Sequence, residues 1–117
     1  MPITEPYELD GVTVGATAIS IVTGTTTPAS VTDDGVYQLW VDGVATMTKT
    51  EEYEITVREI VEATGATQRL VFRATIKGVQ SEVFVTPTLI LMHGWDMLIK
   101  KLAGTDRAFD ASIRKVA

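Results

Sequence analysis

The 117-residue sequence predicts an all-β fold, an antiparallel β-sandwich or jelly roll-like barrel of about seven or eight strands. Several short segments alternate apolar and polar residues with a period of two. Turn signals rich in Gly, Asp and Thr separate them. The last third, residues 81–116, holds three apolar-rich runs that reach almost to the C-terminus. Residues with helical spacing are scarce, so strands account for the pattern best.

Length and composition predict one domain. The chain is 45% hydrophobic and 21% charged, which is ordinary for a globular protein with a single core. It has no cysteine, so disulfides, thiolate zinc sites and a cysteine nucleophile are excluded. Pro2 and Pro6 favour an extended N-terminal arm over residues 1–11, and residues 12–117 are predicted to form a single β domain. Deleting residues 1–8 should then weaken assembly without unfolding the domain.

The charge pattern argues against nucleic acid and membrane as partners. The net charge is -5, and Lys and Arg form no dense block. The N-terminus has neither a basic segment nor an apolar one of the kind found in signal peptides. The longest uncharged apolar run, residues 83–92, is roughly half of what a transmembrane helix needs. We therefore expect a soluble protein.

The first half of the chain contains the opening strands. Residues 12–27 are rich in Thr, Val and Ile, which predicts one or two strands, and a loop follows over residues 25–30. After the turn at residues 33–35, residues 36–41 form a strand with Tyr37, Leu39 and Val41 on one face. Asp42 and Gly43 end that strand in a second turn.

The middle of the chain predicts a hairpin. Residues 51–62 place Tyr53, Ile55 and Val57 on one face, and this spacing of two favours a strand over the competing helix. Residues 68–76 form the next strand after a loop centred on Gly65. Its predicted inward residues are Leu70, Phe72, Ala74 and Ile76. The two strands are expected to pair in antiparallel fashion.

Three more segments complete the predicted domain. Pro87 marks an edge position, a bulge or a break in residues 82–92, because proline cannot donate to a strand ladder. Residues 95–102 fit a strand or a helical face, and we favour the strand. Residues 107–116 alternate, with Phe109, Ala111 and Ile113 on one face, and are expected to return as a hairpin partner of residues 95–102.

The residues that could carry chemistry fit structural roles better. His93 is the single histidine and lies in a predicted turn beside Gly94. Six aspartates are interpreted as turn formers, since no stretch supplies the dense oxygen ligands of a calcium site: Asp33, Asp34, Asp42, Asp96, Asp106 and Asp110. Five glutamates are interpreted as surface charges, not an acid/base pair: Glu51, Glu52, Glu54, Glu59 and Glu62. We predict no enzyme activity and no catalytic, metal or cofactor site.

The aromatic residues leave an alternative open. A sugar-stacking platform could use some of the following side chains: Trp40, Trp95, Tyr7, Tyr37 and Tyr53. Aromatic residues also fill β cores and interfaces, and Trp95 is expected in the core. A carbohydrate-binding β-sandwich that uses Trp40 or Trp95 therefore remains a candidate.

The final block resembles small virion structural proteins of tailed bacteriophages. The similarity lies in residues 85–87 (VTP), 89–91 (LIL), 94–96 (GWD), 103–107 (AGTDR) and 112–114 (SIR). Residues 34–38 (DGVYQ) and 40–42 (WVD) resemble an earlier strand of that family. The resemblance covers about residues 33–117 and rests on packing and turn residues.

The resemblance implies a non-enzymatic capsid decoration (cement) protein that stabilises the assembled shell. Its implied partners are the major capsid protein and copies of itself, as a trimer or dimer. Its implied location is the capsid surface of the virion, after synthesis in the host cytoplasm. A tail, neck or receptor-facing virion module is the alternative within the same class.

Overall fold

A computed structural model describes residues 2–43, 47–80 and 82–116, which form a β-sandwich of two antiparallel sheets. The described residues contain nine strands and no helix, so none of them forms a membrane-spanning helix. This architecture confirms the predicted all-β class and its sandwich form. The strands are β1 (Ile3–Val14), β2 (Ile19–Ser20), β3 (Gly35–Asp42), β4 (Glu52–Glu59), β5 (Arg69–Lys77), β6 (Phe84–Val85), β7 (Leu89–Leu91), β8 (Asp96–Ala103) and β9 (Arg107–Val116).

The two sheets draw strands from both halves of the chain. Sheet A has the order β1-β9-β3-β6, and β7 also pairs with β3. Sheet B has the order β2-β8-β4-β5. Two strands therefore end each main path: β1 and β6 in sheet A, β2 and β5 in sheet B.

The period-two alternation places apolar side chains between the sheets. Tyr37, Leu39 and Val41 on β3 are fully buried, as predicted from their spacing. The same holds for the predicted inward residues Tyr53, Ile55 and Val57 of β4 and Phe109, Ala111 and Ile113 of β9. Phe109 packs on Tyr53 with ring centroids 4.8 Å apart, so β9 stacks over β4 across the core. Burying these side chains supplies the main driving force for folding.

The N-terminal segment differs from the expected free arm. It is extended, but β1 pairs with β9 from Ile3 opposite Val116 to Val14 opposite Arg107. Pro6 falls in the first of two register shifts, where the ladder does not need its missing N–H. The division at residue 11 therefore falls inside one edge strand of the domain.

The sheet topology corrects one expectation and confirms the break predicted at Pro87. β8 and β9 are not hairpin partners, because β8 lies in sheet B and β9 in sheet A. The turn at Gly104 instead carries the chain from one sheet to the other. Residues 82–92 form two short strands on either side of Pro87, and Thr86 before it donates its backbone N–H to Leu39 O.

The hairpin of β4 and β5 is confirmed, but its second strand is less buried than predicted. Tyr53 lies opposite Ile76, and Ile76 is buried. A bulge between Val57 and Arg58 shifts the register further along, and Leu70 is 44% exposed. β5 is an edge strand of sheet B, so neighbouring strands cover fewer of its side chains.

Candidate interaction surface

Glu51, predicted to be a surface charge, is instead a buried carboxylate with a structural role. The Arg107 Nε lies 2.6 Å from both carboxylate oxygens, and the Thr48 N–H donates to Oε1 at 2.6 Å. Burial alone would raise the pKa of Glu51, but these hydrogen bonds outweigh it and lower the pKa below 4.5. An acid/base catalyst needs an open path to substrate. Glu51 is 1% exposed and fully engaged, so it holds the start of β9 against the turn before β4.

Asp96 is the second buried carboxylate and fastens a loop to sheet B. It accepts hydrogen bonds from the Ser20 hydroxyl at 2.7 Å and from the backbone N–H groups of Ala29 and Met97 at 3.0 and 2.9 Å. Burial raises the pKa of Asp96 despite these bonds. The loop after β2 thereby covers this end of sheet B, which gives Asp96 a packing role.

Three other predicted carboxylates have separate local partners. Asp33 pairs with Lys115 and Asp106 pairs with Lys101. Glu59 accepts the N–H groups of Met92 and His93, which places His93 in the predicted turn. Among the described residues, no three His, Cys, Asp or Glu side chains come together in a way that could hold a metal ion.

The aromatic residues divide between the core and one outer face. Trp95 is fully buried, as predicted, and its ring centroid lies 4.5 Å from that of Tyr37 and 6.0 Å from that of Tyr7. Its Nε1–H donates to Asp33 O. Tyr53 lies in the core against Phe109. Trp40, in contrast, projects from the outer face of sheet A.

An aliphatic row crosses the outer face of sheet A. Ile90 of β7 lies opposite Val36 of β3, Val36 lies opposite Val116 of β9, and Val116 lies opposite Ile3 of β1. Ile90 is 81% exposed and Ile3 is 68% exposed. Four strands thus present one continuous line of aliphatic side chains to solvent. We call these four residues the aliphatic row.

Trp40 and Arg114 lie beside this row. The guanidinium carbon of Arg114 is 4.0 Å from the centroid of the Trp40 ring, which is cation–π geometry. The Trp40 Nε1–H donates to Gln38 Oε1 at 3.0 Å. One ring face of Trp40 is therefore already occupied, and a shallow recess of about 140 Å³ joins this pair to Ile3, Val36 and Val116.

An acidic groove occupies the other end of the same face. It has a volume of about 570 Å³. Its carboxylates are Glu5, Glu8, Asp10, Asp42 and Asp110. The nearby charge of Glu5 raises the pKa of Glu8. Sheet A therefore runs from aliphatic at one end to acidic at the other, along the direction of its strands.

Sequence reasoning did not find this surface. The alternation of β3 puts Val36 and Trp40 on the face opposite Tyr37, but the neighbours of that face come from β1, β7 and β9. An apolar residue at an outward position of an alternating strand, such as Val36, Ile90 or Val116, was the available signal. Its meaning depends on strand order, which alternation does not specify.

Comparison with known proteins supports the fold. No protein family matches the sequence, and no curated protein matches it significantly. Among solved structures, PirA has a TM-score of 0.52 at 14% identity, with 94% of each chain covered. A xylan-binding domain of carbohydrate-binding family 22 has a TM-score of 0.44 at 12% identity, covering 93% of this chain and 70% of the other. Eiger TNF from S. frugiperda has a TM-score of 0.43 at 16% identity, and the match covers 79% of this chain and 66% of that structure. The likeness to PirA shows a shared fold.

Proposed function

We propose that this protein is a non-enzymatic virion structural protein of the capsid decoration type, which binds an assembled shell through the outer face of sheet A. The aliphatic row is the observation that carries the proposal. A line of aliphatic side chains on an open sheet face is typical of a protein-binding surface. The resemblance of the final block to bacteriophage virion proteins supplies the kind of assembly.

The row suits weak contacts repeated many times. Complete burial of a Val or Ile side chain is worth about 1.5–3 kcal/mol, and part of that is lost to the entropy of association. Four such residues give a modest contact in one copy. A symmetric shell offers many equivalent positions, and a multivalent decoration protein gains avidity from them. The proposed partners are the major capsid protein and other copies of this chain, and the proposed location is the capsid surface after synthesis in the host cytoplasm.

A binding experiment with matched variants tests the proposal. Purified protein is mixed with expanded empty shells of the major capsid protein of the proposed virion, and the shells are pelleted. Wild type should co-sediment to a saturating ratio. The double variant Ile3→Asp, Ile90→Asp should lose most binding, because charges replace the two most exposed members of the row.

The control keeps the same chemistry away from sheet A. Val61 and Val79 are each 66% exposed and lie in loops outside the strands, so Val61→Asp, Val79→Asp should bind like wild type. Absence of wild-type binding would refute capsid decoration. Counting copies per virion separates the two virion alternatives, because decoration requires a shell-wide number and a tail or neck module requires a ring.

Carbohydrate binding is the second candidate because Trp40 lines the acidic groove. Carboxylates that accept from hydroxyls and an aromatic ring are typical of sugar-binding sites. Arg114 covers one face of the ring, so a sugar must use the other face or displace the guanidinium. Selective glycan binding that is lost in Trp40→Ala, with an unchanged unfolding temperature, would favour this candidate over decoration.

A further inference from the structure

Two long strands form open edges of the sandwich. β1, with 12 residues, ends sheet A, and β5, with 9 residues, ends sheet B. Within the part of the chain that the structure describes, each pairs with a neighbour on one side alone: β1 with β9 and β5 with β4. Open edges of this length are templates for pairing with another chain unless side chains prevent it.

The two edges carry opposite charges. β1 contains Glu5, Glu8 and Asp10 and no Lys or Arg. β5 contains three basic residues and no Asp or Glu, and all six charged side chains are exposed: the basic ones are Arg69, Arg73 and Lys77. Like charges opposite each other destabilise strand pairs, so neither edge favours pairing with its own copy. Opposite charges favour the mixed pair.

We propose that the β5 edge of one copy docks against the β1 edge of a second copy, so that copies assemble head to tail. Attraction between the basic and acidic edges would orient the encounter. Exposed aliphatic residues of the β5 edge, Leu70 and Val71, would be covered. Main-chain hydrogen bonds between the edges would add the affinity typical of strand addition.

The positions of the edges make the assembly heterologous. β9 stacks over β4 through Phe109 and Tyr53, and the carbonyl of Gly15, directly after β1, accepts the N–H of Lys101 in β8. β1 and β5 therefore lie on opposite flanks of the sandwich. One copy can engage two neighbours at once, which generates a closed ring or an open filament. A two-fold dimer would bury the same patch of both copies and does not satisfy this geometry.

The inference extends the proposed function, since a decoration protein needs contacts between its own copies, but its test needs no shell. Native mass spectrometry and light scattering at low ionic strength measure the mass of the assembly. The wild-type assembly should have a mass at least three times that of the 12.7 kDa chain. Added salt should reduce this mass, because it screens the charges of the two edges.

Charge reversal identifies the edges. Arg73→Glu, Lys77→Glu should be monomeric, and so should Glu5→Lys, Glu8→Lys, because each makes the two edges alike. The four-fold variant that combines both changes should recover the wild-type mass, because its edges are complementary again. The control Arg58→Glu, Lys100→Glu has the same change in charge on strands β4 and β8, inside sheet B, and should keep the wild-type mass.

Circular dichroism confirms that each variant is folded before its mass is interpreted. A wild-type monomer or two-fold dimer at low salt would overturn the proposal. So would a reversed variant that keeps the wild-type mass, or failure of the folded four-fold variant to recover it. If a reversed variant unfolds, the neutral pair Arg73→Gln, Lys77→Gln replaces it, with the monomer as its expected result.

Discussion

The contact between Arg107 and Glu51 is the residue-scale feature that ties the two sheets together. Gly104 lies in the turn between them, at φ +91°, and a Cβ there would come within 2.9 Å of the Glu51 Cα. The AGTDR segment therefore combines a tight turn with the cation that neutralises a buried carboxylate. Its part in the resemblance has a packing explanation: glycine for the close approach and arginine for the charge.

Removing the cation should be costly. Arg107→Ala leaves the Glu51 carboxylate buried and without its main partner, which in buried pairs costs about 3–5 kcal/mol. We expect the lower end of that range, because Arg107 is 27% exposed and water can reach it. Urea unfolding measures the loss. The control Lys101→Ala breaks the more exposed pair with Asp106 and should cost under about 1 kcal/mol. Equal losses would contradict the buried-pair account.

Glu51 should also make the stability of the folded protein depend on pH. The pKa of Glu51 is lower in the folded protein than its ordinary 4.5, so the unfolded chain binds its proton first as pH falls. The contribution of Glu51 is fully present above about pH 4.5 and is lost as pH falls through the folded pKa. We expect the free energy of unfolding, measured from pH 6 to pH 3, to change less with pH for Glu51→Gln than for wild type. Parallel curves would show that other groups control acid unfolding.

At the scale of elements, the sequence predicts strands better than it predicts their partners. The bounds and faces of β9 follow from its alternation, and the strand that was favoured over a helix at residues 95–102 is confirmed as β8. Alternation does not say which strand lies alongside, so two consecutive strands joined by a short turn were expected to be a hairpin. β1 was missed because two bulges interrupt its alternation and prolines resemble those of a free terminus. The outer face of sheet A was missed because alternation does not show which strands lie side by side.

The pairing of β1 reverses one expectation about truncation. Deleting residues 2–8 removes the pairing of Ile3 to Glu8 with β9. It also removes Tyr7, whose ring contacts Trp95. Tyr7 is partly buried, so we expect a loss at the lower end of the range for an apolar side chain, about 1.5 kcal/mol. The truncated protein should therefore unfold at a lower temperature in a calorimeter. The control is a shorter deletion, of residues 2–4, which keeps Tyr7. An unchanged unfolding temperature for the longer deletion would support a free arm.

At the scale of the whole molecule, the sandwich has distinct surfaces for distinct contacts. The outer face of sheet A carries the aliphatic row, and the two flanks carry edges of opposite charge. Four aromatic residues lie in the core, Tyr37, Tyr53, Trp95 and Phe109, and the proposed contact surfaces use mainly aliphatic and charged side chains. Such a division suits the proposed decoration protein, which would contact both the capsid shell and its own copies.

Thermal disassembly of the shell tests the central claim most directly. A protein that binds the assembled shell and not its separated subunits must raise the temperature at which the shell comes apart. Light scattering during heating should show this rise for shells saturated with wild type, and none for shells mixed with Ile3→Asp, Ile90→Asp. An unchanged disassembly temperature with saturating wild type would contradict the account, and so would equal protection by the variant.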